Sequence, residues 1–328
     1  MTQKPRVFDR RPLLTVLCPV FNEVQCVDLF YQRWKTLTEI LKDRVDMELI
    51  FCNNCSTDGT AEKILALRAA DQRVQLLTYT RNIGYQASLQ GGLRQASGDA
   101  ITMIDVDCED PPEMITTFVD HWLMGADLAY GERLKRQEPG WITLCRKIFY
   151  RLNRLVADNE IIVDMAEFCL IDRSVRDAIL VGRNTFPFIR ADIAALGLKR
   201  VGIAYDRQLR VAGTTHYHLL GMTRFALAGI VAGTTLPLRM AMYLLIPVLM
   251  ANAAHVIAQP TDRAWFEGIV IVDLSYVSSF VAVAALYVAR TYRNVIGRPL
   301  SVVDWHRSAT NLDRTRAGNE LPYPSARP

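Results

Sequence analysis

Between Phe225 and Ala289 the chain almost stops carrying charge, and no other feature of its 328 residues narrows the possible folds so sharply. In "LPLRMAMYLLIPVLMANAAHVIA" (236–258) the only full charge is Arg239, and in "GIVIVDLSYVSSFVAVAALYVA" (268–289) it is Asp273. At ~1.5 Å per residue, about twenty apolar helical residues cross the ~30 Å hydrocarbon layer of a bilayer. Helices of soluble proteins rarely stay apolar on every face, so both stretches read as transmembrane helices, about 236–258 and 267–289, with the lipid bilayer as partner. Arg224 and Arg239 flank the first, and Arg290, Arg293 and Arg298 follow the second, while the connecting loop sets Arg263 against Asp262 and Glu267. Positive flanks stay in the cytoplasm, and the opening "MTQKPRVFDRRPLL" has no apolar signal core. The expectation is a multi-pass protein of the cytoplasmic (inner) membrane: a cytoplasmic domain over 1–220, a membrane domain over 221–290 and a cytoplasmic tail over 291–328. An ionisable side chain within a membrane is costly and usually paired. Asn252 and Asp273 fall at similar depths of such a hairpin, so a hydrogen bond between them, or between their copies in neighbouring subunits, is expected.

The first 220 residues alternate apolar runs with charged stretches. "LLTVLCPV" (13–20) is a continuous apolar run, as in a strand buried on both faces. A helix from about Val24 to Leu41, a strand in "MELIFCNN" (47–54), a capped helix from "STDGTAEKILALRAA", a strand in "VQLLTYT" (74–80), a helix around Gln86 to Gln95 and a strand in "DAITMID" (99–105) follow. This alternation predicts an α/β domain with a parallel sheet between helical layers, and ligands of such sheets sit beyond the carboxyl ends of the strands. "FNE" (21–23), "NNCSTDG" (53–59) and "DVD" (105–107) all fall at those ends. Neither a G-x-G-x-x-G dinucleotide fingerprint nor a Walker loop occurs there.

The segment "ITMIDVDCEDPPE" (101–113) is the strongest chemical signal. Asp105, Asp107, Glu109, Asp110 and Glu113 crowd together with no basic residue among them. Residues two apart on an extended segment point the same way, and two carboxylates that close raise one another's pKa unless a cation sits between them. Hard divalent cations take oxygen ligands, and Mg²⁺ is typically held by one or two carboxylates plus substrate phosphates. Asp105 and Asp107 therefore read as a clamp for Mg²⁺ or Mn²⁺ carrying a diphosphate. The seven cysteines, an odd number with several in apolar runs, agree with a reducing compartment. Cys52 and Cys55 form a C-x-x-C, but no second pair or histidine cluster at zinc spacing accompanies it. The net charge of +4 is mild, and scattered basic residues around an acidic site exclude nucleic acid as a partner.

In this order, and ahead of two membrane helices, "PVFNE", "CNNCSTDGT", "TRNIGYQASLQGGLRQASGD", "MIDVDCEDPPE", "YGERLKR", "DMAEFCLIDR" and "YDRQLRVAGTTHY" resemble the polyprenyl-phosphate glycosyltransferases of glycosyltransferase family 2. That group includes dolichyl-phosphate mannose synthases and bactoprenol glucosyl transferases. The resemblance runs from about Leu13 to Val302. It implies a GT-A (Rossmann-like) domain and an inverting enzyme. Such an enzyme moves a sugar from a UDP- or GDP-linked donor to a polyprenyl (undecaprenyl- or dolichyl-type) phosphate at the membrane face, for cell-envelope glycan or lipid modification. By the same resemblance Pro19, Glu23, Asn53, Asn54 and Ser56 line the nucleoside pocket. Asp105 and Asp107 hold metal and diphosphate, and Glu167 stands where the group carries its aspartate base. Arg133, Arg136, Arg207 and Arg210 flank the acceptor phosphate, which arginine grips with a bidentate fork. A homo-oligomer, a tetramer in the group, is also implied.

The chain departs from the group's pattern at several places. Asn54 replaces an aspartate, Glu167 is longer than aspartate by one methylene, and Tyr85, Gln86 and His216 replace commoner residues near the site. "WITLCRKIFYRLNRLV" (141–156) has helical apolar spacing with Arg146, Lys147, Arg151 and Arg154 beside the opposite face, as in a helix of the headgroup layer; 217–236 reads similarly. Two alternatives stay open. A processive polysaccharide synthase shares the nucleotide-binding half, although "QRW" (32–34) lies in the wrong place for its motif. A catalytically impaired membrane scaffold derived from a transferase is made conceivable by Asn54.

Overall fold

The computed structural model describes residues 4–133, 165–182, 185, 187–208, 234–258, 263–297 and 299–311. Arg136, Arg210, His216 and the 141–156 helix expected at the headgroup layer lie outside the described residues.

The continuous apolar runs form the centre of the sheet. Strands β1 (Leu13–Val20), β2 (Asp46–Asn53), β3 (Val74–Thr78) and β4 (Ala100–Met103) are linked by helices α1 (Val27–Leu41), α2 (Thr60–Ala70) and α3 (Tyr85–Gln95). After α4 (Ile115–Leu123) come β5 (Leu128–Arg133), β6 (Met165–Asp172), α5 (Arg173–Val181), α6 (Ile189–Ala194) and β7 (Arg200–Tyr205). The strand order is β3-β2-β1-β4-β6-β5-β7. The expected parallel pairing holds from β3 to β4, but β6 runs antiparallel to both β4 and β5, while β5 and β7 pair in parallel. The result is a mixed, GT-A-like α/β sheet rather than a wholly parallel one. Because β1 and β4 are neighbours from which the order departs in opposite directions, their carboxyl ends flank the topological switch point, where such sheets hold ligands.

Each sheet face is sealed by its own apolar layer. Phe30, Trp34, Leu37, Phe118 and Trp122 of α1 and α4 cover one face, and Leu89, Leu93, Val175, Ile179 and Ile193 of α3, α5 and α6 cover the other. Helix α3 lies unusually close: a Cβ on Gly92 would stand 2.6 Å from Cys52 Sγ, and one on Gly91 2.5 Å from the Tyr79 hydroxyl. That close approach sets the height of Tyr85 and Gln86, at the start of the helix, over the crevice.

Two long apolar helices follow, α7 (Leu236–Ala258) and α8 (Arg263–Ile296), each long and apolar enough to cross a membrane. Ile246, Leu249, Val272 and Leu274 are exposed on them, which is not how a hairpin buried in a soluble core is built. Helix α8 is longer than the expected 267–289. At ~1.5 Å per residue its 34 residues measure roughly 50 Å, and near its far end Asn294 Oδ1 accepts from the Thr185 amide at 2.9 Å. The expected polar pair is present within the chain: Asn252 Nδ2 donates to Asp273 Oδ1 at 2.8 Å.

The chain then returns to the sheet. Val303 pairs with Tyr79 and Ala309 with Leu76 in antiparallel bridges along the outer edge of β3. Between them Asp304–Ser308 bulges outward, with the Ser308 hydroxyl accepting from the Thr78 amide at 2.9 Å and the Arg307 carbonyl accepting from Thr78 Oγ1 at 3.0 Å. Sequence reasoning assigned these residues to a tail.

Candidate active site

Three backbone turns carry the site. Asn22 (φ 55°), Cys55 (φ 62°) and Cys108 (φ 58°) are the non-glycine residues in the left-handed region among the described residues, and they follow β1, β2 and β4 respectively. Each such residue costs about 1 kcal/mol or more and persists only where neighbours hold it. Asn22 donates its amide to Ser56 Oγ at 3.0 Å and accepts from the Thr57 amide at 2.9 Å. The Glu23 amide donates to Thr60 Oγ1 at 3.0 Å, and the Val24 amide to Asp58 at 3.1 Å. Asp58 also accepts from the Thr60 amide at 3.1 Å; burial works against its charge, yet these donors hold its pKa below the ordinary value. The loops after β1 and β2 are thereby laced into one rigid floor.

Of the residues expected around a nucleoside, Pro19 is the penultimate residue of β1, opposite Cys52, and Glu23 is half-buried in the β1–α1 loop. Asn53 is wholly buried, its Oδ1 accepting from the Ser56 amide at 3.0 Å and its Nδ2 donating to Thr78 Oγ1 at 3.4 Å. Asn54 is buried and accepts from the Ile83 amide at 3.5 Å. Asn53, Asn54 and Ser56 therefore hold the floor's shape, whatever else they do.

The acidic segment divides into two sets. Glu113 receives Arg33 from α1 in a two-pronged pair, Nε to Oε1 at 2.8 Å. Glu109 pairs with Arg207. Asp110 is buried and accepts from Arg133 Nη2 at 3.1 Å and from the Tyr205 hydroxyl, with Arg207 Nε 3.7 Å away. Burial disfavours the Arg133 charge, but Asp110 and Tyr205 more than offset that and raise its pKa. Asp105 and Asp107 are left with no basic partner among the described residues. Asp105 accepts from the Tyr85 hydroxyl at 2.8 Å, and Asp107 accepts from the Glu109 amide at 3.1 Å. Burial first, then the charges of Asp107, Asp110 and Glu167, raise the Asp105 carboxyl from an ordinary 3.8 to about 7. Such a donor set, two oxygen ligands held side by side at a negative potential, fits a hard divalent cation.

Glu167, on β6, is held on two sides. Gln86 Nε2 donates to its Oε1 at 2.9 Å, and Arg190 Nε lies 2.8 Å from the same oxygen. The Gln86 carbonyl in turn accepts from the Ile189 amide at 3.0 Å. Glu167 Oε2 is buried with no hydrogen-bond partner among the described residues. Tyr85 and Gln86, which the sequence marked only as departures, thus touch the two carboxylates that matter most. Arg190 was missed, as were the pairings of Arg33, Arg133 and Arg207 with the acidic segment. Arg133 and Arg207 both meet the acidic segment, through Asp110 and Glu109.

The family described as Glycosyl transferase family 2 matches residues 15–180. The uncharacterised glycosyltransferase YkcC of Bacillus subtilis is 30% identical over 88% of this chain and 92% of its own length. A prophage bactoprenol glucosyl transferase homologue of Escherichia coli K12 is 32% identical over 74% of this chain and 78% of its own. The bactoprenol glucosyl transferase of Shigella phage SfV is 32% identical over 70% and 75%.

Proposed function

The chain belongs to glycosyltransferase family 2, and from that premise we propose that it transfers a sugar from a UDP- or GDP-linked donor to a polyprenyl phosphate at the cytoplasmic face of a bilayer, with inversion at the anomeric carbon. The observation that carries this reading is the division of the acidic segment. Glu109, Asp110 and Glu113 each have an arginine, while Asp105 and Asp107, at the switch point, have none among the described residues. Asp105 and Asp107 would hold Mg²⁺ or Mn²⁺, which when bound offsets the charge of the donor diphosphate and of the leaving group. The names of the relatives that act on bactoprenol support a polyprenyl acceptor.

The side chains fit a phosphate acceptor better than a hydroxyl. A sugar hydroxyl keeps its proton at neutral pH and needs a strong base, whereas a phosphomonoester, with a second pKa of about 6, is already largely ionised. Glu167 has one oxygen engaged by Gln86 and Arg190, which fixes its orientation. In this reading it orients the acceptor and removes only a residual proton. A phosphate oxygen attacks the anomeric carbon as the bond from that carbon to the diphosphate oxygen breaks, and the diphosphate leaves with the electron pair. In this reading Arg207, partly exposed beside Glu109, and Arg133 border the acceptor phosphate, and the family resemblance adds Arg136 and Arg210 to them. Pro19 and Glu23 border the nucleoside.

Helices α7 and α8 leave the catalytic domain and the chain rejoins β3 of the same domain at Val303–Ala309, which supports a reading with both ends of the hairpin on one side of the bilayer. The arginine-rich flanks support the cytoplasm as that side. The test is incubation of the full chain in detergent with undecaprenyl phosphate, Mn²⁺ and a panel of nucleotide sugars, read by mass spectrometry of the lipid fraction. A new lipid heavier by one hexose is expected; an unmodified lipid fraction with every donor would overturn the reading.

A further inference from the structure

The segment that follows the membrane helices carries a cation to the nucleotide end of the crevice. The backbone of Arg307 is fixed by the buried Thr78 hydroxyl, which donates to its carbonyl at 3.0 Å. Thr78 in turn accepts from Asn53 Nδ2 at 3.4 Å, so the bulge is tied to the floor formed by the β2–α2 loop. The Arg307 side chain is exposed, and its Nη1 lies 3.8 Å from Sγ of Cys55, the left-handed residue of that loop. Among the described residues its guanidinium has no carboxylate partner.

Its place along the strand ends says what it meets. Neighbouring strands lie ~4.8 Å apart, so β2, two strands from β4, puts the Cys55 loop roughly 10 Å from the Asp105–Asp107 end. A nucleoside diphosphate laid along the strand ends with its phosphates at those aspartates puts its base over β2 and β3, under Arg307. We propose that Arg307 is a specificity-determining residue that reads the donor's nucleobase, an inference that rests on the transferase reading above. A guanidinium only donates hydrogen bonds. It favours the base edge that presents only acceptors, O4 of uracil or O6 and N7 of guanine, and disfavours the same edge of cytosine or adenine, which presents the N4 or N6 amino group.

The experiment measures binding of UDP, GDP, CDP, ADP and inorganic pyrophosphate, each with Mn²⁺, to the full chain and to Arg307→Ala and Arg307→Lys by calorimetry. The wild type is expected to prefer UDP or GDP over ADP and CDP by about tenfold or more. Arg307→Ala should lose about tenfold for the preferred nucleotide with pyrophosphate binding unchanged, and Arg307→Lys, which keeps the charge without the fork, should lose most of the base preference. Thermal melting equal to wild type in either variant shows that the loss is not one of folding. Unchanged nucleotide affinity in both variants, or an equal loss for pyrophosphate, would overturn the assignment of the base to Arg307. A wild-type protein that binds none of the nucleotides would instead overturn the transferase reading itself.

Discussion

Replacing Asp110 by asparagine tests whether the acidic segment is held open by its arginines. The Asp110 side chain is 3% exposed and Arg133 23%, and the carboxylate joins β5, β7 and the loop that follows β4. Removing one charge of a buried pair leaves the other uncompensated and costs about 3–5 kcal/mol. Arg133 keeps partial access to water, and asparagine still accepts from Tyr205, so the lower end applies, about 3 kcal/mol. For a domain of this size 1 kcal/mol moves the melting midpoint by roughly 2–4 °C, so Asp110→Asn should melt roughly 6–12 °C below wild type. The assay is thermal unfolding of the full chain in detergent for Asp110→Asn, Arg133→Met and the double variant. Because the cost comes from a stranded charge, the double variant should recover most of it. Its KM for polyprenyl phosphate then separates the two duties of Arg133: a rise at restored stability marks a phosphate contact, and an unchanged value marks a purely mechanical one. An Asp110→Asn protein melting within about 2 °C of wild type, or strictly additive single losses, would refute this account of the segment.

Three further outcomes are expected. The Asp105 carboxyl is raised to about 7 in the folded, metal-free protein, so folded-state stability is fully present below its ordinary value of 3.8 and falls as pH rises through about 7. A cation relieves that penalty, so the Mn²⁺-induced rise in melting temperature should be larger at pH 8 than at pH 5.5 and lose this pH dependence in Asp105→Asn; equal shifts at both pH values in wild type would contradict it. In a turnover assay Asp107→Asn should lose about a hundredfold or more, whereas Glu167→Gln stays within about tenfold, and equal losses would remove the distinction between the two carboxylates. Asp273→Leu breaks a hydrogen bond between membrane helices worth about 0.6 kcal/mol on average and ~1.7 at most, so a small drop in melting temperature in detergent is expected, and no change would show the pair to be idle.

What the sequence disclosed and what it hid follow from the range of the forces involved. Buried parallel strands announce themselves as apolar runs, so β1, β2 and β3 lie within a few residues of their expected places, and the D-V-D pair falls at the end of β4. The hairpin depth of Asn252 and Asp273 needed only helix geometry. The arginines that neutralise Glu109, Asp110 and Glu113 come from α1, β5 and the stretch after β7, so no local pattern links them. The direction of β6 is set by where its connections run, which apolar content does not encode. The pairing of Val303–Ala309 with β3 is made of backbone hydrogen bonds and small polar side chains, and such a strand has no hydrophobic period to betray it. Tyr85 and Gln86 stood out only against the resemblance, and the fold gave them their partners, Asp105 and Glu167.

The return of Val303–Ala309 to β3 also dictates an order of assembly. A ribosome adding ~5–20 residues per second needs on the order of tens of seconds to pass from Thr78 to Ala309. Throughout that interval the growing protein exposes a bare sheet margin, the kind of surface on which strangers dock. Only after both long apolar helices have been synthesised does the closing segment emerge to cover it, so the sheet is finished last, and a polypeptide cut short after the second of those helices would leave that margin open for good.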